Sequence, residues 1–186
     1  MNKIIYLFIL LFSLLSTHSV AMENIMILKL KYGEVKIELY PKKAPNHVKR
    51  FKELSDQGKY DNVVFHRVID GFMAQTGDVE FGKSDSKDFD LRKAGMGGSN
   101  LPDLKQEFND LPHERGTVSM ARSSPPDSAN SQFFICFDEA SFLDRQYTVF
   151  GKVIEGMEFI DMIKKGDSDN NGSVSDPDKI ISFKSE

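Results

Sequence analysis

Apolar and polar residues alternate at the end of Met26-Ile27-Leu28-Lys29-Leu30-Lys31 and again along Val35-Lys36-Ile37-Glu38-Leu39, with Tyr32-Gly33 offering a turn between them. A period of two puts every second side chain on one face of a strand, so the two runs predict an antiparallel hairpin. The period then changes. Val48, Phe51 and Leu54 recur at a spacing of three, Lys49, Lys52 and Glu53 fall on the other side, and Pro45 suits a first helical turn. A helix ending near Gly58 is expected. Strand patterns return at Val63–Ile69 and Phe72–Gln75 around the turn pair Asp70-Gly71, then at Gly116–Met120, Gln132–Phe137, Tyr147–Val153 and Ile180–Phe183. A second helix fits Met157–Lys164, with Phe159, Ile160 and Ile163 as its apolar face and Gly166 just past its end. From Gly77 to Leu104 no period is sustained, which predicts a long surface loop.

Many short strands with two helices, and no regular alternation of strand and helix, predict an all-β fold, an antiparallel β-barrel. The chain has 186 residues, 40% hydrophobic and 28% charged, enough to bury one core; no internal repeat or second domain is visible. A net charge of −4 argues against nucleic acid as a partner. The single cysteine, Cys136, excludes an internal disulfide and a cysteine zinc cluster, and its place in Phe133-Phe134-Ile135-Cys136-Phe137 reads as packing in a buried strand.

The N-terminus has a different character. Lys3 precedes an apolar run from Ile4 to Phe12, continued by Leu14 and Leu15, and a polar stretch ends in Ser19-Val20-Ala21. This is the layout of a secretory signal, too short to span a membrane comfortably; residues 1–21 are expected to be removed after Ala21, leaving a mature domain from Met22 to Glu186. Export with one unpaired thiol suits a bacterial periplasm, with no stable membrane insertion after cleavage.

Asp167-Ser168-Asp169-Asn170-Asn171-Gly172, followed by Val174 and Asp178, partly matches a calcium loop, but Asp178 is shorter than the glutamate expected there, and Pro177 with the Ile180-Ile181 strand pattern replaces the exiting helix. A solvated turn is the favoured reading. Asn171-Gly172-Ser173 spells a glycosylation acceptor, with no modification expected in a bacterial compartment. Gly95-Met96-Gly97-Gly98 fits neither phosphate-loop pattern, and no nucleophile elbow is present.

The run Val64-Phe65-His66-Arg67-Val68-Ile69-Asp70-Gly71-Phe72-Met73-Ala74-Gln75-Thr76-Gly77-Asp78 closely resembles the signature of the cyclophilins, the peptidyl-prolyl cis-trans isomerases. Ser119-Met120-Ala121, Ser131-Gln132-Phe133-Phe134-Ile135, Phe142-Leu143-Asp144 and Val149-Phe150-Gly151-Lys152-Val153 resemble further blocks of that family in order and approximate spacing. The resemblance implies a closed eight-stranded barrel capped by two helices, no cofactor, and a monomer acting on proline-containing segments of unfolded or exported proteins. It assigns the catalytic guanidinium to Arg67 and the proline pocket to Phe72, Met73, Phe134 and Leu143. Gln75 corresponds to a partner of the substrate carbonyl, Ala121 and Arg122 to the backbone that pairs with residues before the proline, and Gln132, Phe142 and Tyr147 to the rest of the groove. Phe142 stands where well-known eukaryotic members carry tryptophan, and Tyr147 where they carry histidine, a pattern similar to bacterial cyclophilins that implies weakened cyclosporin binding. Arg122 replaces an asparagine, at a position whose implied contact is mainly through the backbone.

These residue types suit the reaction. Rotation about X-Pro crosses a barrier of about 18–20 kcal/mol because the amide loses its resonance. In the twisted state the prolyl nitrogen recovers its lone pair, and a donor aimed at it helps the transition state more than the planar ground state. Arg67 supplies a permanently charged donor, and an apolar pocket grips the ring and excludes water. His66, adjacent to Arg67, is expected to point to the opposite face as a hydrogen-bonded structural residue, since rotation needs no proton transfer. The rival reading is a chaperone or scaffold whose groove holds proline segments with little turnover.

Overall fold

A computed structural model of the chain describes residues 24–87 and 89–186. The expected export signal lies outside them. Strands β1 (Ile25–Leu30) and β2 (Gly33–Leu39) form the hairpin that the alternation predicts. Leu30 pairs with Gly33, so the turn is Lys31-Tyr32, one residue earlier than expected. A Cβ on Gly33 would lie 2.4 Å from the Phe159 ring, so only glycine lets that helix residue pack there.

Helix α1 (Pro45–Asp56) starts with proline in its first turn and ends before Gly58, which takes φ 65°. Its N-terminal amides are capped from a distance: Asn46 N and His47 N donate to the Glu107 carboxylate at 3.1 and 3.0 Å. The other strands are β3 (Arg67–Ile69), β4 (Met73–Thr76), β5 (Thr117–Met120), β6 (Phe133–Cys136), β7 (Val149–Glu155) and β8 (Ser182–Ser185). Two single-turn 3₁₀ segments, Ser141–Leu143 and Ser168–Asn170, were not foreseen. Helix α2 is shorter than predicted, Met157–Asp161, because the chain turns away and the Lys164 amide donates to the Asp178 carboxylate at 2.9 Å.

Among the described residues the eight strands form one sheet in the order β3-β4-β6-β5-β7-β2-β1-β8, antiparallel at every pairing. The sheet curls without closing, which corrects the expected closed barrel: it is an open half-barrel with β3 and β8 at its edges. The physical reason is a wedge. Segment 166–174 occupies the free edge of β3, where Val68 N donates to Gly172 O and Gly166 N to Val68 O, each at 2.8 Å. The β3 groups that a closing ladder would need are thereby spent. Only upstream does the chain reach the β8 side, through Phe65 N to Asp178 O and Ile180 N to Val63 O. The predicted strand from Val63 therefore shrinks to Arg67–Ile69, with Val63 and Val64 in isolated bridges.

Inside the curl, α1 drives Phe51 into an aromatic cluster, its ring centroid 5.5, 5.1, 4.8 and 5.0 Å from those of Tyr60, Phe133, Phe150 and Phe183. These rings fill the bore. Alternation along β6 then decides the rest: Phe133 points inward to that cluster, whereas Phe134 points outward, packing with Met73, Cys136, Ala140 and Leu143 in a separate apolar group.

Candidate active site on the outer face of the sheet

The outward group lies on one rung. Arg67 pairs with Gln75, Gln75 with Phe134, and Phe134 with Ser119, so β3, β4, β6 and β5 carry these four residues side by side. Around them opens a cavity of about 300 Å³ lined by Arg67, Phe72, Met73, Gln75 and Phe134 from the sheet side. Ala121, Arg122, Phe142, Leu143 and Tyr147 complete its rim. Every site residue expected from the sequence is thus brought to this cavity except Gln132, which lines an adjoining smaller one of about 140 Å³ together with Gln75, Ala121 and Arg122.

The walls are aromatic. Phe142 is 64% exposed on the 3₁₀ turn and leans on Phe72, ring centroids 5.3 Å apart, while Tyr147 meets Phe134 edge-on at 5.9 Å. Cys136 is fully buried, and burial pushes its thiol up to about 12, so it serves packing as expected.

Arg67 is held from behind. Its Nε donates to Asn171 O at 3.0 Å, NH2 to Asn171 Oδ1 at 2.9 Å, and NH1 to Gln75 Oε1 at 3.2 Å. NH1 also lies 3.9 Å from Met73 Sδ, over the pocket floor. Burial lowers the guanidinium from its ordinary value, yet arginine stays charged at any working pH. Gln75, expected to meet the substrate carbonyl, has its oxygen turned to Arg67, and its Nε2 donates to Gln132 Oε1 at 3.0 Å. Gln132 in turn donates to Gly95 O and Gly97 O at 3.0 and 2.8 Å. The amides of Gly95 and Gly97 donate to the fully buried Asp78 carboxylate at 2.7 and 2.9 Å, which ties the 77–104 loop down beside the cavity.

Sequence reasoning missed Asn171. It sits at φ 51°, in the left-handed region that asparagine tolerates, and both its oxygens accept from Arg67. The Asn171-Gly172 pair was the available signal, read only as part of a turn. In that turn Asp167 caps the Asp169 amide at 2.9 Å, while Asp178, at the twelfth place of the partial calcium pattern, faces Lys31 and Tyr32 instead.

His66 is 8% exposed, and burial holds its ring near 4, hence neutral. The expected hydrogen bond is not well formed: neither ring nitrogen has a partner in good hydrogen-bonding geometry, although Val64 and Gln132 lie near enough to favour the charged ring slightly, and the ring packs against Gly95, where a Cβ would come within 2.7 Å of it. A second array resembles a hydrolytic triad. His113 Nδ1 lies 2.9 Å from Asp144 Oδ1 and Nε2 lies 3.0 Å from Ser119 Oγ. Both His113 and Ser119 are fully buried, and the imidazole stacks on Phe134 with ring centroids 6.0 Å apart. No substrate reaches such a serine; the array fixes Phe134 and the turn before Asp144.

With this geometry in place, comparison with known proteins identifies the class. Residues 25–185 match the family described as cyclophilin type peptidyl-prolyl cis-trans isomerase/CLD. A probable peptidyl-prolyl cis-trans isomerase of Brucella suis is 60% identical over 159 residues, 86% of this chain and 81% of that one. Peptidyl-prolyl cis-trans isomerase A of Dickeya dadantii is 40% identical over 166 residues, covering 86% of this chain and 82% of its own. Among solved structures, a Cryptosporidium parvum cyclophilin-type isomerase determined in the presence of the dipeptide Ala-Pro superposes with a TM-score of 0.73 at 28% identity, over 87% of this chain and 98% of that one. The chain belongs to the cyclophilin-type peptidyl-prolyl cis-trans isomerases and is an enzyme of that class.

Proposed function

We propose that Arg67 is the catalytic donor of this isomerase and that the cavity bounded by Phe72, Met73, Phe134 and Leu143 receives the substrate proline. One observation carries the reading: the guanidinium is anchored by Asn171 and Gln75 on one side while NH1 lies over Met73, at the cavity floor. A donor fixed in advance gains most where charge develops, here at the prolyl nitrogen as the amide twists. Shortening an uncatalysed exchange of tens to hundreds of seconds to milliseconds is about 10⁴-fold, or roughly 5–6 kcal/mol at 1.4 kcal/mol per tenfold. One preorganised charged donor and a dry pocket are of the right size for that demand.

The test is cis-trans exchange on a short X-Pro peptide. Arg67→Ala is expected to lose most activity, about a hundredfold or more in kcat/KM, with the fold retained. Near-normal turnover would remove Arg67 from this role. A groove that only held proline segments would bind the peptide without hastening exchange.

The chain is further proposed to act on exported proteins in a periplasm after removal of residues 1–21. The charge, apolar run and small residues of Lys3 to Ala21 support this. Intact mass of protein expressed in a bacterial host decides it: a chain starting at Met22 is expected, and retention of Met1 contradicts it.

A further inference from the structure

Two stretches of chain form the rim of the cavity, Ala121 and Arg122 on one side and Phe142, Leu143 and Tyr147 on the other, and Arg122 joins them. Its Nε and NH2 both donate to Gln146 O, at 3.2 and 3.0 Å, across the gap. NH1 donates to Ser123 O and Ser124 O on its own side, at 2.9 and 3.0 Å. Four of the five N–H groups of the fork are thereby committed to the protein's own carbonyls. The guanidinium also sits over the Tyr147 ring, 4.5 Å from its centroid. Tyr147 in turn stands edge-on against Phe134 at the base of the cavity.

We propose that Arg122 is a positioning residue, a strut that holds the 142–147 rim in its proline-accepting shape before substrate arrives. The inference rests on the reading of this cavity as the proline site. A planar fork can clamp one carbonyl with two donors and reach two more carbonyls with the others; a lysine ammonium over the same ring keeps the charge and loses the brace. The strut acts on binding rather than on rotation, since the anchors of Arg67 are Asn171 and Gln75, which belong to neither segment. A site already in shape spares the substrate the entropy of ordering it.

Exchange kinetics on two peptides that share one X-Pro pair, one neutral and one with an acidic residue before that pair, should be combined with amide hydrogen exchange of the free protein. In the native chain the Gln146 and Tyr147 amides both donate to Leu143 O, at 3.0 and 3.2 Å, and so report on the rim. For Arg122→Ala the expected result is a rise in KM of about tenfold for both peptides, kcat within about twofold, and exchange at those two amides faster by about tenfold or more. Arg122→Lys restores neither fully. An increase in KM confined to the acidic peptide would make Arg122 a direct substrate contact and overturn the strut. Unchanged amide exchange, or a fall in kcat at constant KM, would overturn it too. Should the native enzyme fail to accelerate either peptide, the reading of the cavity falls, and the amide exchange alone still decides whether Arg122 braces the rim.

Discussion

Arginine is useful to this site because its fork can be held and still have donors to spare. Asn171 takes two N–H groups and Gln75 a third. The side-chain share of that hold is separable from the backbone share, because Asn171 already has a glycine-like φ of 51°. Asn171→Gly therefore keeps the turn and the carbonyl bond to Nε while deleting the bond to NH2. A loss of about 3–10-fold in kcat with little change in KM is expected, in line with one charge-assisted hydrogen bond that orients rather than reacts. Asn171→Asp, which keeps an oxygen in place, should recover much of the rate. Peptide exchange kinetics on both variants check this, and an unaffected kcat for Asn171→Gly would make the contact incidental.

At the scale of elements, the wedge 166–174 has two duties, covering the edge of β3 and presenting Asn171. Gly172 is one of its tight points: at φ 76°, an added Cβ would lie 2.4 Å from Ile69 Cγ1 and 3.0 Å from Val68 O. Gly172→Ala should lower stability by about 1–3 kcal/mol through backbone strain and overlap, read as a drop in Tm, and should also reduce turnover by shifting Asn171. A Tm within a degree of the parent would show the wedge to be compliant. Much of this level was legible beforehand. Period two marks the hairpin, apolar runs and turn pairs mark the strands around Phe72 and Phe133, and a spacing of three marks α1, because those patterns are local. The wedge was not, since Arg67 and Asn171 are 104 positions apart and neither carries a periodic signal. The same holds for the helix cap supplied by Glu107. Closure failed as an expectation for a related reason: strand content is written in the sequence, but which group fills an edge depends on where a polar loop docks. Of the candidate site, the residues that line the cavity could be named beforehand through their resemblance to a family, whereas the hydrogen bonds of Gln75 and Arg122 could not.

For the molecule as a whole, buried histidines set the acid limit before the carboxylates do. His66 has a folded value near 4 against an ordinary 6.5; burial is the main cause, Arg67 adds to it and Asp78 opposes it. Between those values the unfolded chain binds a proton that the folded chain refuses, so stability is full above about 6.5 and declines as pH falls toward 4, by up to about 3 kcal/mol from this ring. His47 and His113 are shifted in the same direction, each chiefly by burial. Asp178, Glu107 and Asp144 lie below their ordinary values, so their contributions persist in this window and fade only at lower pH. Urea unfolding at a series of pH values is expected to show a midpoint falling between pH 6.5 and 4, with a shallower fall in His66→Gln. An identical slope in that variant would mean that His66 is not the group responsible.

The cleft lies on the convex side of a curled sheet whose hollow is filled with aromatic rings and aliphatic side chains. Nothing has to be threaded. If substrate binds there as proposed, a long polypeptide can be laid across such a surface sideways, so a bond deep within it is as approachable as one near its tail, and the enzyme can let go without unspooling it.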